Sequence, residues 1–537
     1  VGKDGGNMIE GYKVWNSYLT KDMCRRTIGD REVFTFRNTR NNYYEILEDT
    51  VRRFPDKTAF CDNWGRCYTY GEFLGLVDSL EDYLERLGAG KGSHVGLLLH
   101  NSIEFCTAFY AVCKLGAVAV PFPSKYREPE IRALMEKADL NILLCAEQFR
   151  EWVLDFEEQG VRIRYSEDEE NGFGFRHLDL RPGSQGGSRG ALADEVIIMF
   201  TSGTTSASKG VVLKNYNIIH AAMIYQRLCH ITPEDKTIIP VPIYHITGLI
   251  ALLGLFVYAG GTVWLYRRYD ARRILTCITE HQITFMHGSP TVFGLLMDYR
   301  EEFPALPSIR TLLCGSSYLP DEKIKKLHDW MPTMKLMTVY GMTETASPGT
   351  LFPYDAATSI YSASAGKPVP GLELKIVDED GRELEAGQAG TVLLRGANIL
   401  EYYYHMQTDL LSPDGWLDTG DLGYVNKEGY VFFVDRKKDM INRGGEKIWC
   451  NDVENELVSL KGVKDAAVVG IASEKYGEAA AAVLVLEEGA TLTEEEIQKL
   501  LLSRMARYKV PERILFLKEI PKTPGMKTDK RYIRTLF

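Results

Sequence analysis

Residues 196–210 read VIIMFTSGTTSASKG. An apolar, β-branched run passes straight into small hydroxyl side chains and closes on Lys209 and Gly210. A short continuous apolar run bounded by turn residues predicts a strand buried on both faces. The loop after it carries Thr201, Ser202, Gly203, Thr204 and Thr205 ahead of Lys209. Hydroxyls, backbone N–H groups and one ammonium are what wraps a polyphosphate. The classical nucleotide loop, however, needs Gly before its lysine and Ser or Thr after it, and here Ser208 and Gly210 take those places. A solvated Ser/Gly linker fits the same composition equally well.

The flanks favour a layered α/β fold. Residues 70–87 have the apolar spacing of a helix, 91–99 (KGSHVGLLL) read as a strand, 102–116 as a buried helix ending at Gly116, and AVAVPF as the next strand. NILLC at 141–145 continues the series. Such βα alternation predicts a parallel-rich sheet covered on both faces. Residues 237–266 lack Asp, Glu, Lys and Arg, yet Pro240, Pro242, His245, Gly248 and Gly260-Gly261 interrupt them. They read as strand, loop, buried helix over about 247–258, turn and strand rather than a membrane span. The stretch RPGSQGGSRG (181–190) reads as a flexible surface connection.

At 537 residues, 45% apolar and 25% charged, the chain is long enough for at least two domains of a soluble globular protein. A net charge of −10 argues against nucleic acid or an anionic membrane as partner. Ten cysteines without a C-x-x-C pair or zinc spacing suggest reduced thiols and a cytoplasmic protein. The residues before Met8 contain no apolar signal-peptide core and are set aside. From 372 to 395 the texture changes to alternating apolar and polar positions around a DEDG turn, as in antiparallel strands. After VFFVDRKKDMI, about 100 residues carry their own helix and strand signals. The expected division is a large domain over 8–436, built of parallel-rich sheets layered with helices plus a β-rich subdomain, and a small α+β domain over 437–537.

Further polar clusters are CGSSYLP (314–320), YGMTETA (340–346), GWLDTGDLG (415–423), VDRKKDMINRGGEK (434–447) and PKTPGMK before Thr528. Each alone fits a turn or a solvated tail. Together with TSGTTSASKG and PIYHITGL, and in this order, they resemble the ANL superfamily of adenylate-forming enzymes over roughly 44–534. That superfamily includes acyl- and aryl-CoA synthetases, peptide-synthetase adenylation domains and firefly-type luciferases.

The resemblance implies a large domain, a small mobile C-terminal domain and an active site between them. It implies ATP, Mg²⁺ and coenzyme A: a carboxylate attacks the α-phosphate, then a thiol displaces AMP. Lys527 would neutralise charge growing in the first transition state, with Mg²⁺ held through Glu344. The loop from Thr201 to Lys209 would hold the β- and γ-phosphates and Thr343 the α-phosphate. Gly315, Ser316, Ser317 and Gly341 would line the nucleotide slot, and Tyr340 would stack on the purine. Asp421 and Arg436 would sit at the ribose. Lys438 would be the hinge about which the small domain rotates, bringing Gly444, Gly445 and Glu446 to the thiol.

His245 and Gly341 would border the acyl group. Phe293 and Leu295, within FMHGSPTVFGLL (285–296), would add a wall. No aspartate follows His245 to pair an α-amino group, so an uncharged acyl or aryl chain is expected. The run DRKKDMINRGGEKIWCNDVENEL is most similar to acyl-CoA ligases of the fatty-acid and crotonobetaine/carnitine type. A carrier-protein phosphopantetheine as acceptor, or a nucleotide-binding protein without turnover, are the other readings. Departures from the family pattern fall at Ser206, Ser208, Glu401 and Gly525-Met526.

Overall fold

The computed structural model describes residues 8–169, 172–175, 178–181, 188–201, 208–317, 319–437, 439–444, 446–523 and 527–537. Two large sheets form the body. In the first, the strands Ile142–Ala146, His94–Leu98, Val118–Pro121 and Glu195–Phe200 lie side by side in parallel. Gly210–Lys214 and then Tyr403–Tyr404 extend that edge in antiparallel fashion. The second sheet carries, in parallel order, Lys335–Tyr340, Thr311–Cys314, Phe285–Gly288, Lys236–Ile239, Thr262–Leu265 and Thr58–Asp62. The carboxyl ends of parallel strands are where open α/β sheets bind ligands.

The helix Ile103–Leu115 is buried along its whole length and ends on Gly116 at φ 66°, the left-handed cap the sequence indicates. Its two charged residues are neutralised by distant partners. Arg66 meets Glu104 at 2.7 Å, and Lys114 meets Asp78 at 2.9 Å and Glu81 at 3.3 Å. Removing one partner of such a pair leaves a buried charge uncompensated, a cost of about 3–5 kcal/mol. The helix Tyr70–Arg86 starts on a Thr69–Glu72 capping box.

The apolar segment after Pro242 enters the core as a π-helical stretch, Thr247–Gly254, continued by the α-helix Leu255–Ala259. Its wide turn fits close packing: a Cβ on Gly248 would meet the Pro242 carbonyl oxygen at 2.6 Å, and a Cβ on Gly254 would collide with the Tyr43 hydroxyl. No helix among the described residues is long and apolar enough to cross a membrane.

One expectation is overturned. Cys61 and Cys67 are joined in a disulfide rather than left as thiols, while the other eight cysteines are free. The antiparallel strands Thr58–Asp62 and Cys67–Thr69 place the two residues directly opposite each other, with Cα atoms 4.2 Å apart. Spacing alone conceals this, because the turn between them folds the chain back.

The β-rich unit is fully antiparallel, in the order Ile9–Glu10, Leu372–Val377, Gly390–Gly396, Leu417–Val425 and Val431–Arg436. Its apolar residues join the main core, which extends to Val431. From Ile441 onward a separate core forms around the hairpin Val463–Ser473 and Gly477–Leu486. The two bodies meet through Lys323–Asp465 at 3.0 Å and Lys464–Asp298 at 2.8 Å.

Candidate active site

The base of the 201–209 loop is closed by its own backbone. The Thr201 N–H donates to the Lys209 carbonyl at 2.9 Å, and the Ser208 hydroxyl donates to the Thr201 carbonyl at 2.6 Å. Ser208, a departure from the family pattern, thus ties Thr201 to the residue before Lys209. Ser202, Gly203, Thr204 and Thr205 lie outside the described residues.

Immediately after Lys209 the chain pairs with Tyr403–Tyr404, Val211 opposite Tyr403. Gly210 is needed there, since a Cβ would come within 2.9 Å of Tyr404 Cβ. The pairing lays the Tyr403 ring 5.3 Å from the Lys209 ammonium and lets its hydroxyl donate to Glu344 Oε1 at 3.1 Å. Glu344 is 7% exposed, on a short 3₁₀ turn, Thr343–Thr345. Loop lysine and buried carboxylate are therefore bridged by an aromatic residue that sequence reasoning missed. Glu401, where the family usually has glycine, is held by Lys214 at 2.6 Å and the Tyr216 hydroxyl at 2.8 Å.

Tyr340 ends its parallel strand facing the β-rich unit. Its hydroxyl donates to Asp421 Oδ2 at 2.6 Å, and Asp421 Oδ1 lies 3.2 Å from Arg436 Nε. Strand pairing sets this up, because Asp421 stands opposite Arg436 in register. Phe433 stacks on Tyr340 with centroids 3.8 Å apart, so a purine would take the opposite face. Burial pushes the Tyr340 phenol well above its ordinary value, and the Asp421 carboxylate adds to it. Gly341 is obligatory: a Cβ would lie 2.7 Å from the Ser347 carbonyl carbon and collide with its oxygen. Gly315 follows its strand with Val339 pressed against it, and Ser316 adopts φ 71°, in the left-handed region.

His245 lies beside Tyr244, ring centroids 4.6 Å apart, and its Nε2 is buried with no hydrogen-bond partner among the described residues. Burial pushes its imidazole down to about 3, and the charges of Lys527 and Lys125 add to the effect. A cavity of about 400 Å³ opens next to this segment, lined by Asn101, Lys125, Pro242, Tyr244, Arg267 and Arg268 among others.

Gly444 and Glu446 belong to the hairpin Ile441–Arg443 and Glu446–Ile448 of the small body. Gly444 takes φ 60° and donates its N–H to the Tyr476 carbonyl at 2.8 Å. Lys438 and Gly445 lie outside the described residues.

Glu344 suits Mg²⁺ arriving with a nucleotide. That ion takes one or two protein carboxylates and completes its shell with phosphate oxygens and water, so one buried carboxylate is an adequate protein share.

Comparison with known proteins identifies the family. The family model described as "AMP-binding enzyme" matches residues 47–404, and "AMP-binding enzyme C-terminal domain" matches 452–527. The indoleacetate–CoA ligase of Aromatoleum aromaticum is 30% identical over 91% of this chain and 95% of its own. The long-chain-fatty-acid–CoA ligase FadD13 of Mycobacterium tuberculosis is 29% identical over 87% and 93%. Among solved structures, o-succinylbenzoate CoA synthetase (MenE) from Bacillus subtilis, in complex with its acyl-adenylate intermediate, superposes with a TM-score of 0.80 at 27% identity, covering 92% of this chain and 98% of that one. The chain belongs to the AMP-binding enzyme family, that is, to the ANL superfamily of adenylate-forming enzymes.

Proposed function

We propose that this protein is an acyl-CoA synthetase. It activates a carboxylic acid with ATP to an acyl-adenylate, releasing pyrophosphate, and transfers the acyl group to coenzyme A. The observation that supports the proposal is that residues from separate motifs meet in two contact sets: Lys209, Tyr403 and Glu344 in one, and Tyr340, Asp421 and Arg436 in the other.

In the first step a carboxylate oxygen bonds to the α-phosphorus and the bond to pyrophosphate breaks. The acid is already ionised at neutral pH, so no general base is needed. Three side chains oppose the accumulating negative charge. Lys209 sits at the pyrophosphate end, Thr343 donates a hydroxyl at the α-phosphate, and Lys527 brings an ammonium to the oxygens between acid and phosphate. Bound Mg²⁺ would supply additional charge neutralisation at the phosphates. Tyr340 and Asp421 hold base and ribose, with Arg436 fixing the Asp421 carboxylate, and Gly315, Ser316, Ser317 and Gly341 leave room for the nucleotide. Ser202, Gly203, Thr204 and Thr205 complete the phosphate loop.

In the second step the thiol loses its proton, sulfur bonds to the acyl carbon and AMP leaves. The small domain, taken as 437–537 against 8–436, turns about Lys438 for this step, moving Lys527 away and Gly444, Gly445 and Glu446 in. Separate apolar cores on the two sides of that boundary support the division. Lys125, Arg267 and Arg268 around the cavity beside His245 give the positive charge that coenzyme A phosphates require. A cytoplasmic location fits these substrates.

The test is pyrophosphate release from ATP and Mg²⁺ over a panel of carboxylic acids, each with and without coenzyme A. Acid-dependent release with coenzyme A-dependent thioester formation is expected. Release without thioester would move the acceptor to a carrier protein, and ATP binding without release for any acid would refute the enzyme assignment.

A further inference from the structure

Behind Gly341 and Gly315 lies a buried polar cluster that nucleotide binding does not use. His287, Gly315 and Val339 stand at the carboxyl ends of three adjacent parallel strands, the sheet edge at which such folds hold ligands. His287 is 2% exposed, and its Nδ1 has no hydrogen-bond partner among the described residues. Its Nε2 lies 3.5 Å from where a Cβ on Gly315 would stand, and Val339 packs against the same position. A ring nitrogen buried without a partner is costly, roughly 1–3 kcal/mol on mutational scales, and an apolar residue would avoid that cost.

Beside it, the Tyr225 ring lies 6.2 Å from that of His287, and the Tyr225 hydroxyl is 2.9 Å from Ser347 Oγ. Both residues are buried. Ser347 is kept at φ 100°, a conformation that disfavours an L side chain. Its carbonyl, accepting from Thr345 Oγ1 at 3.1 Å, is lodged against Gly341. The cluster therefore backs directly onto the two glycines proposed to border nucleotide and acyl group.

We infer that the inner end of the acyl site is polar, and that His287 with the Tyr225–Ser347 hydroxyl pair selects a carboxylic acid bearing an uncharged hydrogen-bonding substituent, a hydroxyl or keto group, over the plain hydrocarbon acid of the same length. This rests on the acyl-CoA synthetase reading. The substituent is uncharged because burial pushes the His287 imidazole down to about 3. A neutral ring and two hydroxyls offer a second carboxylate hydrogen bonds but no opposing charge. A site built to hydrogen-bond a substrate group rejects the analogue lacking it far more strongly than an apolar pocket rejects an added hydroxyl.

The experiment compares matched pairs, straight-chain acids of four to twelve carbons and their hydroxy or keto analogues, and phenylacetate with its ring-hydroxylated forms. It uses the full chain, as wild type, His287→Phe, His287→Gln and Tyr225→Phe. The readouts are kcat/KM for acid-dependent pyrophosphate release and, independently of turnover, the shift in Tm caused by each acid. Wild type should prefer one substituted acid at least 30-fold over its plain partner. His287→Phe should bring that ratio to within about threefold by gaining on the plain acid, and His287→Gln should restore part of it. Tyr225→Phe, which keeps the ring, should also lower the ratio. Pyrophosphate release with plain and substituted acids used equally, or a ratio unmoved by His287→Phe and Tyr225→Phe, overturns the inference. If substituted acids raise Tm selectively but none releases pyrophosphate, the polar pocket stands and the synthetase reading fails. If no acid does either, both fall.

Discussion

Replacing Tyr403 with Phe removes one oxygen atom from the centre of the proposed site and leaves the ring in place. The lost contact is the hydroxyl that donates to Glu344 Oε1 at 3.1 Å, in a setting where both residues are buried. A hydrogen bond to a charged group contributes about 1.5–3 kcal/mol. If Tyr403 fixes the Glu344 carboxylate for the adenylation transition state, that whole amount reappears as a barrier. At 1.36 kcal/mol per decade, acid-dependent pyrophosphate release should fall about 10- to 150-fold. The ring still lies beside Lys209 at the 5.3 Å seen here, so Tyr403→Leu should lose about a further 0.5–2 kcal/mol of cation–π attraction. The assay is pyrophosphate release under single-turnover conditions, with Mg²⁺ titrated. The Mg²⁺ concentration for half-maximal rate should rise in Tyr403→Phe, and in a Glu344→Gln background the Tyr403→Phe effect should nearly vanish. A folded Tyr403→Phe protein within threefold of wild type, with unchanged Mg²⁺ dependence, would refute the bridging role.

Three shorter predictions follow from other parts of the molecule. Gly341→Ala should abolish adenylation in a chain that still folds, because the new Cβ collides with the Ser347 carbonyl, whose backbone cannot yield as a side chain would; a circular dichroism melt beside the activity assay separates the two effects, and retained activity would contradict the packing. His220 and His287 are fully buried with imidazoles pushed by burial to about 4 and about 3. Each favours the fold above its unfolded value near 6.5 and loses that contribution as pH falls toward the native value, up to about 1.4 kcal/mol per pH unit per histidine. Urea unfolding between pH 6.5 and 4.5 should show a shallower pH slope in His287→Phe; an unchanged slope would rule out the buried neutral state. Thiol alkylation in denaturant should label eight cysteines before reduction and ten after it. Ten labels without reduction would mean that Cys61 and Cys67 are thiols.

What the sequence discloses depends on how far apart the interacting residues are. The strand Glu195–Phe200 and the Gly116 cap are legible because a local pattern and a local backbone need coincide. TSGTTSASKG suggests a phosphate loop only as part of an ordered set of motifs, since alone it is chemically indistinguishable from a linker. The charges on the buried helix Ile103–Leu115 defeat a periodicity argument, because Arg66 and Asp78, which neutralise them, come from other elements. Tyr403 is invisible for the same reason. It is 59 positions from Glu344, and only the antiparallel pairing of Val211 with Tyr403 shows why it belongs beside Lys209. The disulfide hides behind a turn, and His287 looks like one more residue in an apolar wall until its Nδ1 is found without a partner.

In the proposed mechanism Lys527 is the group that serves acyl-adenylate formation. The most direct measurement is acid-dependent exchange of labelled pyrophosphate into ATP without coenzyme A, in wild type and Lys527→Ala, set beside thioester formation from the presynthesised acyl-adenylate and coenzyme A. Exchange should fall at least about 100-fold in Lys527→Ala, the loss of roughly 2.7 kcal/mol of transition-state charge stabilisation, while thioester formation stays within a few-fold of wild type. Exchange at the wild-type rate in Lys527→Ala, or equal loss in both half-reactions, would contradict the assignment.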